Sequence, residues 1–145
     1  MIQTFETHFP EQTFQLGVDF GKKLSPNSIV CFYGDLAAGK TTFIKGLVQA
    51  LSSGKEIAVS SPTFVYLQTY PTIPPVFHFD LYRLKDSQEF LAMGFDEFFY
   101  CDGISCVEWS ERIDGLIPDH AWKVTFTHQQ ENCRKIEIEP PSGLF

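Results

Sequence analysis

The chain has 145 residues, 43% of them hydrophobic and 20% charged, which is the composition of a globular core and excludes a disordered tail. Acidic residues outnumber basic ones 18 to 11, for a net charge of −7, so the chain is poorly suited to hold nucleic acid by itself. The opening MIQTFETHFPEQ has no basic segment followed by an apolar one, and no apolar run approaches the roughly 20 residues of a membrane span. A soluble cytoplasmic protein, one domain over residues 1–145, is expected.

After a short start, residues 10–24 read as a helix: Pro10 suits a first turn, and Leu16, Phe20 and Leu24 recur at i, i+4. Gly17 and Gly21 weaken that reading. Ile29 to Tyr33 is a continuous apolar run, the pattern of a strand buried on both faces, and it leads straight into Gly34. A helix is expected over 40–52, with Phe43, Leu47 and Leu51 on one face. Residues 64–70 and 76–82 read as two strands of a hairpin across Pro71-Thr72-Ile73-Pro74-Pro75. Residues 87–93 read as a helix capped by Gly94, and 96–100 as a short helical turn. Residues 104–109 form another apolar strand, and 122–128 and 133–139 alternate as a C-terminal antiparallel hairpin. The class is α/β, a mixed sheet flanked by helices with hairpins in the middle and at the C-terminus.

The cysteines Cys31, Cys101, Cys106 and Cys133 contain no C-x-x-C pair, and the histidines complete no known zinc spacing. Reduced, mostly buried thiols are expected.

Gly34-Asp35-Leu36-Ala37-Ala38-Gly39-Lys40-Thr41 fits G-x-x-x-x-G-K-[ST], with a strand before it and a helix after it. Ala37, Ala38, Gly39, Lys40 and Thr41 can turn backbone N–H groups around phosphate oxygens at a helix N-terminus, and Thr42 belongs to the same turn. Lys40, read as a solvated charge outside the core, reaches the phosphates, and the Thr41 hydroxyl is placed to ligate Mg²⁺. Guanine-specific proteins carry Asn-Lys-x-Asp, but neither Asn27 nor Asn132 is followed by Lys, so ATP is favoured. Asp80 and Glu108 each end an apolar strand, where a carboxylate can hold Mg²⁺, orient the attacking water or simply terminate the strand. In Ser60-Ser61-Pro62-Thr63-Phe64, Thr63 could sense a γ-phosphate as switch loops do, although a plain strand-entry turn is the simpler reading.

GDLAAGKTTF, SSPTF, HFDLYRL, MGFDEF and VEWSERI together resemble, in order and spacing, the bacterial TsaE (YjeE) family from the region of Thr13 to Arg134. The resemblance implies a small P-loop ATPase required for the threonylcarbamoyl modification of adenosine 37 in tRNAs that read ANN codons. It implies that Thr41 and Glu108 ligate Mg²⁺ and that Lys40 and its neighbours hold ATP or ADP. It further implies that Thr63 lies in a switch-like loop, that Asp80 stands near the γ-phosphate, and that Trp109, Thr13 and Arg134 lie near the nucleotide. The implied partners are the carbamoyltransferase subunit and its paralogous scaffold subunit (TsaD and TsaB). The transfer chemistry would belong to the partner, and tRNA contact would be indirect. Where the family reads GDLGAGKT, this chain has Ala37 in place of glycine. Two other classes stay open on the residues alone. A small-molecule kinase needs arginines over the transferring phosphoryl group, and only Arg83, Arg112 and Arg134 are present. A nucleotide-gated binding module needs no turnover.

Overall fold

The computed structural model describes residues 1–34, 39–130 and 133–142. In chain order the elements are β1 (Gln3–Thr7), α1 (Pro10–Gly21), β2 (Ile29–Gly34), α2 (Lys40–Ala50), β3 (Leu67–Tyr70), β4 (Val76–Asp80) and α3 (Ser87–Ala92). A 3-10 helix (Phe95–Tyr100), β5 (Ile104–Glu108), a second 3-10 helix (Ser110–Leu116), β6 (Trp122–Gln130) and β7 (Cys133–Glu139) follow.

The strands make one mixed sheet in the order β1-β7-β6-β2-β5-β4-β3. Its centre is parallel: β2 pairs with both β5 and β6, and β4 pairs with β5. The edges are the two expected hairpins, β3–β4 and β6–β7, with β1 added antiparallel to β7. The first strand was not expected, because QTFET carries only one large apolar residue. It is held by register, with Phe5 opposite Ile136.

The sheet separates two apolar layers. On one face α1 and α2 bury Phe20, Phe43, Ile44 and Leu47 against Val30, Phe32, Val124 and Phe126. On the other, α3 and the 3-10 helices bury Phe90, Phe95, Phe99 and Ile113 against Phe79 and Val107. Much of the phenylalanine is used here. The Phe79 ring has Phe95 at 5.5 Å, Phe90 at 5.9 Å, Phe98 at 6.0 Å and Phe99 at 6.2 Å, in tilted and edge-on contacts that suit aromatic quadrupoles.

The helices end earlier than the apolar spacing suggests. After Gly21, Lys23 and Leu24 bond the carbonyls three residues back, and Leu51 and Ser52 do the same after α2, so each chain tightens out of the α-helix. The segment 64–66, expected as strand, is instead a turn closed by the Tyr66 N–H on the Pro62 carbonyl, with Tyr66 at φ 66°. Gly94 follows α3 in the left-handed region, as a capping glycine should.

Of the four thiols, Cys31 and Cys106 are buried, Cys101 is exposed and Cys133 is half-buried, so the expectation of mostly buried thiols holds for two. Burial disfavours the thiolate, pushing Cys31 up to about 11 and Cys106 also well above its ordinary value.

The glycines that weakened the α1 reading serve its packing. A Cβ on Gly17 would lie 2.1 Å from the Phe43 carbonyl oxygen, and one on Gly46 would lie 2.0 Å from that of Phe14, so the two backbones touch through reciprocal glycines. Gly46→Ala should therefore lower stability by more than about 2 kcal/mol in urea denaturation. Gly115→Ala is the control, since nothing stands within 4 Å of its built Cβ. Equal, small effects of both would contradict the close approach.

Candidate functional site

Parallel pairing brings three strand ends together. Glu108 lies opposite Phe32 on one side and Asp80 on the other, so β2, β5 and β4 finish side by side. In open sheets this carboxyl edge is where ligands bind. At the end of β2, Gly34 has φ 119°, and a Cβ there would lie 2.2 Å from the Phe126 carbonyl oxygen. Only glycine lets the chain leave the sheet at this point. Ala37 and Ala38, expected at the phosphates, lie outside the described residues. Gly39 precedes α2 at φ 93°, ψ 14°.

Thr13 lies beside this turn: its Cγ2 is 3.6 Å from a Cβ built on Gly39, and its hydroxyl is 2.8 Å from that of Thr7. Arg134 is the cross-strand partner of Thr7, and its Nη1 bonds the Cys133 carbonyl at 3.5 Å. Thr13 thus flanks the glycine turn from α1, and Arg134 lies on β7 opposite Thr7, which bonds Thr13.

Lys40 differs from its expectation. It is 3% exposed rather than solvated: Nζ donates to the Gly34 carbonyl at 3.0 Å and lies 5.1 Å from the Trp109 ring centroid. The cause is a helix start that brings Nζ back to the end of β2 and against the Trp109 ring. Trp109 itself is left-handed (φ 61°, ψ 42°), which turns the chain sharply after Glu108, and its ring packs on Tyr82 at 4.9 Å.

The hydroxyl and carboxylate groups converge. Ser61 Oγ donates to Glu108 Oε2 at 3.0 Å, which leaves the Thr41 hydroxyl to donate to Ser61 Oγ at 3.1 Å. Thr42 is half-buried in the first turn of α2. Thr63 Oγ1 donates to Asp80 Oδ2 at 3.0 Å, and the Tyr82 N–H donates to Oδ1 at 3.0 Å. Asp80 and Glu108 are each only 4% exposed, so these bonds are what makes two buried carboxylates tolerable.

Two residues here were not singled out from sequence. Ser61 bridges Thr41 and Glu108. His78, wholly buried, bonds Glu108 Oε2 through Nε2 at 2.6 Å and the Tyr70 hydroxyl through Nδ1 at 2.9 Å. The available signal was HFD itself, a histidine two residues before a strand-end carboxylate and on the same side of the strand.

A phosphate at this edge would meet the N–H groups that start α2, a lysine three ångströms from the first glycine, and hydroxyls backed by carboxylates. That architecture defines a P-loop nucleotide-binding protein. Comparison with known proteins narrows the class. The profile of the TsaE family, described as threonylcarbamoyl adenosine biosynthesis protein TsaE, matches residues 7–136, and the chain belongs to that family. It is 34% identical to the tRNA threonylcarbamoyladenosine biosynthesis protein TsaE of Treponema pallidum, over 88% of this chain and 93% of that protein. It is 36% identical to the Haemophilus influenzae protein of the same name, over 99% of this chain and 94% of that one. The crystal structure of Bacillus subtilis YdiB superposes with a TM-score of 0.82 at 26% identity, covering 98% of this chain and 87% of that one.

The lysine–tryptophan contact generates a direct optical test. A Lys40 Nζ that turns to a phosphate leaves the Trp109 face, so Trp109 emission should change on saturation with Mg-ATP. Trp122, edge-on to Phe20 at 5.1 Å in the other half of the sheet, is removed as Trp122→Phe to isolate the signal. No change in that variant would make Trp109 a packed aromatic only.

Proposed function

We propose that this chain is an ATP-binding, slowly hydrolysing cytoplasmic subunit required for the threonylcarbamoyl group on adenosine 37 of ANN-decoding tRNAs. It acts through partner proteins, the carbamoyltransferase subunit and its paralogous scaffold (TsaD and TsaB). The observation that carries the reading is the joining of Thr41 to Glu108 through a single serine hydroxyl, beside the Thr63–Asp80 pair.

The donor set fits Mg²⁺, a hard cation that takes oxygen ligands. Thr41 Oγ1 lies 3.1 Å from Ser61 Oγ, which lies 3.0 Å from Glu108 Oε2, so a hydroxyl and a carboxylate stand on either side of one serine oxygen. Bound there, Mg²⁺ would neutralise charge across the β- and γ-phosphates. The protein's own part is positional. Lys40 exchanges the Gly34 carbonyl for phosphate oxygens. Thr41 and Glu108 would hold the metal. Thr63 and Asp80 face the γ-phosphate, where Asp80 accepts a hydrogen bond from the attacking water and fixes its line of approach. Thr13 and Arg134 border the nucleotide from the α1 side.

Two further features support action through partners. With a net charge of −7, the chain leaves tRNA phosphates to other subunits. Phe64 and Val65, next to Thr63, are 79% and 66% exposed, so an apolar contact surface shares a segment with the residue that meets the γ-phosphate.

The test is a reconstituted tRNA modification reaction containing the partner proteins, read for both modified adenosine and ATP hydrolysis. Glu108→Gln should weaken Mg²⁺-dependent nucleotide binding by about tenfold or more. Asp80→Asn should keep binding and lower turnover by roughly 100-fold. Modified adenosine should fall in both. Reversed effects would exchange the two roles, and full activity in both variants would remove the chemistry from this site.

A further inference from the structure

Among the described residues the Glu108 carboxylate carries two hydrogen bonds, and both end on the same oxygen. Ser61 Oγ and His78 Nε2 reach Oε2, while Oε1 has no hydrogen bond among the described residues. From His78 the path continues through Nδ1 to the Tyr70 hydroxyl, which donates to the Ser60 carbonyl at 3.1 Å. Ser60 precedes Ser61. The five residues Glu108, His78, Tyr70, Ser60 and Ser61 therefore close a ring of hydrogen bonds and one peptide link around a single carboxylate oxygen.

Such a ring is not explained by packing. His78 lies in β4 among Val76, Phe77 and Phe79, all core residues, and an apolar side chain at that position would fill the layer without a polar group to satisfy. Its 2.6 Å contact with a buried carboxylate is the short, strong kind that fixes orientation. Tyr70 is buried too, and burial pushes its hydroxyl up to about 12, so it keeps its proton and its donor role across the working pH range.

We propose that His78 and Tyr70 are positioning residues that pin Glu108 Oε2 against the protein, present Oε1 to the metal, and tie that orientation to the 60–61 loop. The proposal rests on the reading of Glu108 as a Mg²⁺ ligand. A carboxylate free to rotate about its last torsion offers either oxygen in many directions. One held at Oε2 from two sides offers the other oxygen in one. Residues that orient a ligand in this way govern metal affinity while leaving the remaining contacts of the nucleotide unchanged.

The experiment measures ADP affinity of the full chain by calorimetry, once with saturating Mg²⁺ and once with EDTA, and takes the ratio as the metal's increment. His78→Leu should bind ADP as well as wild type in EDTA but lose about tenfold of the increment. His78→Gln, whose amide can still donate to Oε2, should recover part of it. Tyr70→Phe removes one hydroxyl and should lose a smaller factor, and it decides alone if His78→Leu does not fold. A full increment in Tyr70→Phe and in the folded His78 variants overturns the proposal. So does a fall in EDTA affinity equal to that with Mg²⁺, which marks a structural role. Glu108→Gln is measured alongside: if it keeps the increment, the metal assignment itself fails, whereas if it alone loses the increment, only the positioning role fails.

Discussion

Parallel pairing at the centre of the sheet is the constraint on which the site depends. Antiparallel neighbours would send Asp80 and Glu108 to opposite edges. Because β4, β5 and β2 run the same way and in register, Asp80 stands opposite Glu108, and Glu108 stands opposite Phe32, two residues before the glycine that opens the phosphate loop. Apolar pairs on both faces of these strands hold that register, since a slip by one residue would turn Phe79 and Val107 out of one core layer and Val30 and Cys106 out of the other. The carboxylates are thus placed by hydrophobic burial along the strands that they end.

Placing two carboxylates and a lysine at such an edge carries a desolvation cost, which the protein offsets with short, specific partners. Asp80 is met by a hydroxyl and a backbone N–H, Glu108 by a hydroxyl and an imidazole, Lys40 by a carbonyl and an indole face. Several of these partners are exchangeable. A phosphate would offer Lys40 more than a carbonyl does, and a metal at the proposed site would take the Thr41 hydroxyl that Ser61 now meets. The loop that carries Ser61 and Thr63 also exposes Phe64, so the proposed exchange at the phosphates would be linked by covalent chain to an exposed apolar surface.

The parts of this arrangement that depend on local pattern were readable in the sequence. The apolar run into Gly34, the Gly-Lys-Thr start of a helix, the two hairpins and the strand-end positions of Asp80 and Glu108 all follow from periodicity and turn chemistry. What escaped was set by contacts between distant segments. The strand Gln3–Thr7 exists because β7 offers it an edge. Phe64 and Val65 look like strand but stay exposed, because the Pro62–Tyr66 turn takes the backbone away from the sheet. Lys40 is covered by Trp109, nearly seventy positions later in the chain, and Gly17 and Gly21 looked like weak helix positions because their partners lie on the other helix. Ser61 and His78 lie inside the SSPTF and HFDLYRL segments, but their importance lies in sharing one oxygen of Glu108, which no local pattern shows.

The most direct test of this account is a crystal structure of the chain with Mg²⁺ and a non-hydrolysable ATP analogue. The account predicts the phosphates on the N–H groups that open α2 and Lys40 Nζ turned from Gly34 to them. It also predicts a metal about 2.1 Å from Thr41 Oγ1 and from a Glu108 oxygen. A metal held by other residues, or a nucleotide bound away from the Gly34–Thr41 turn, would contradict it.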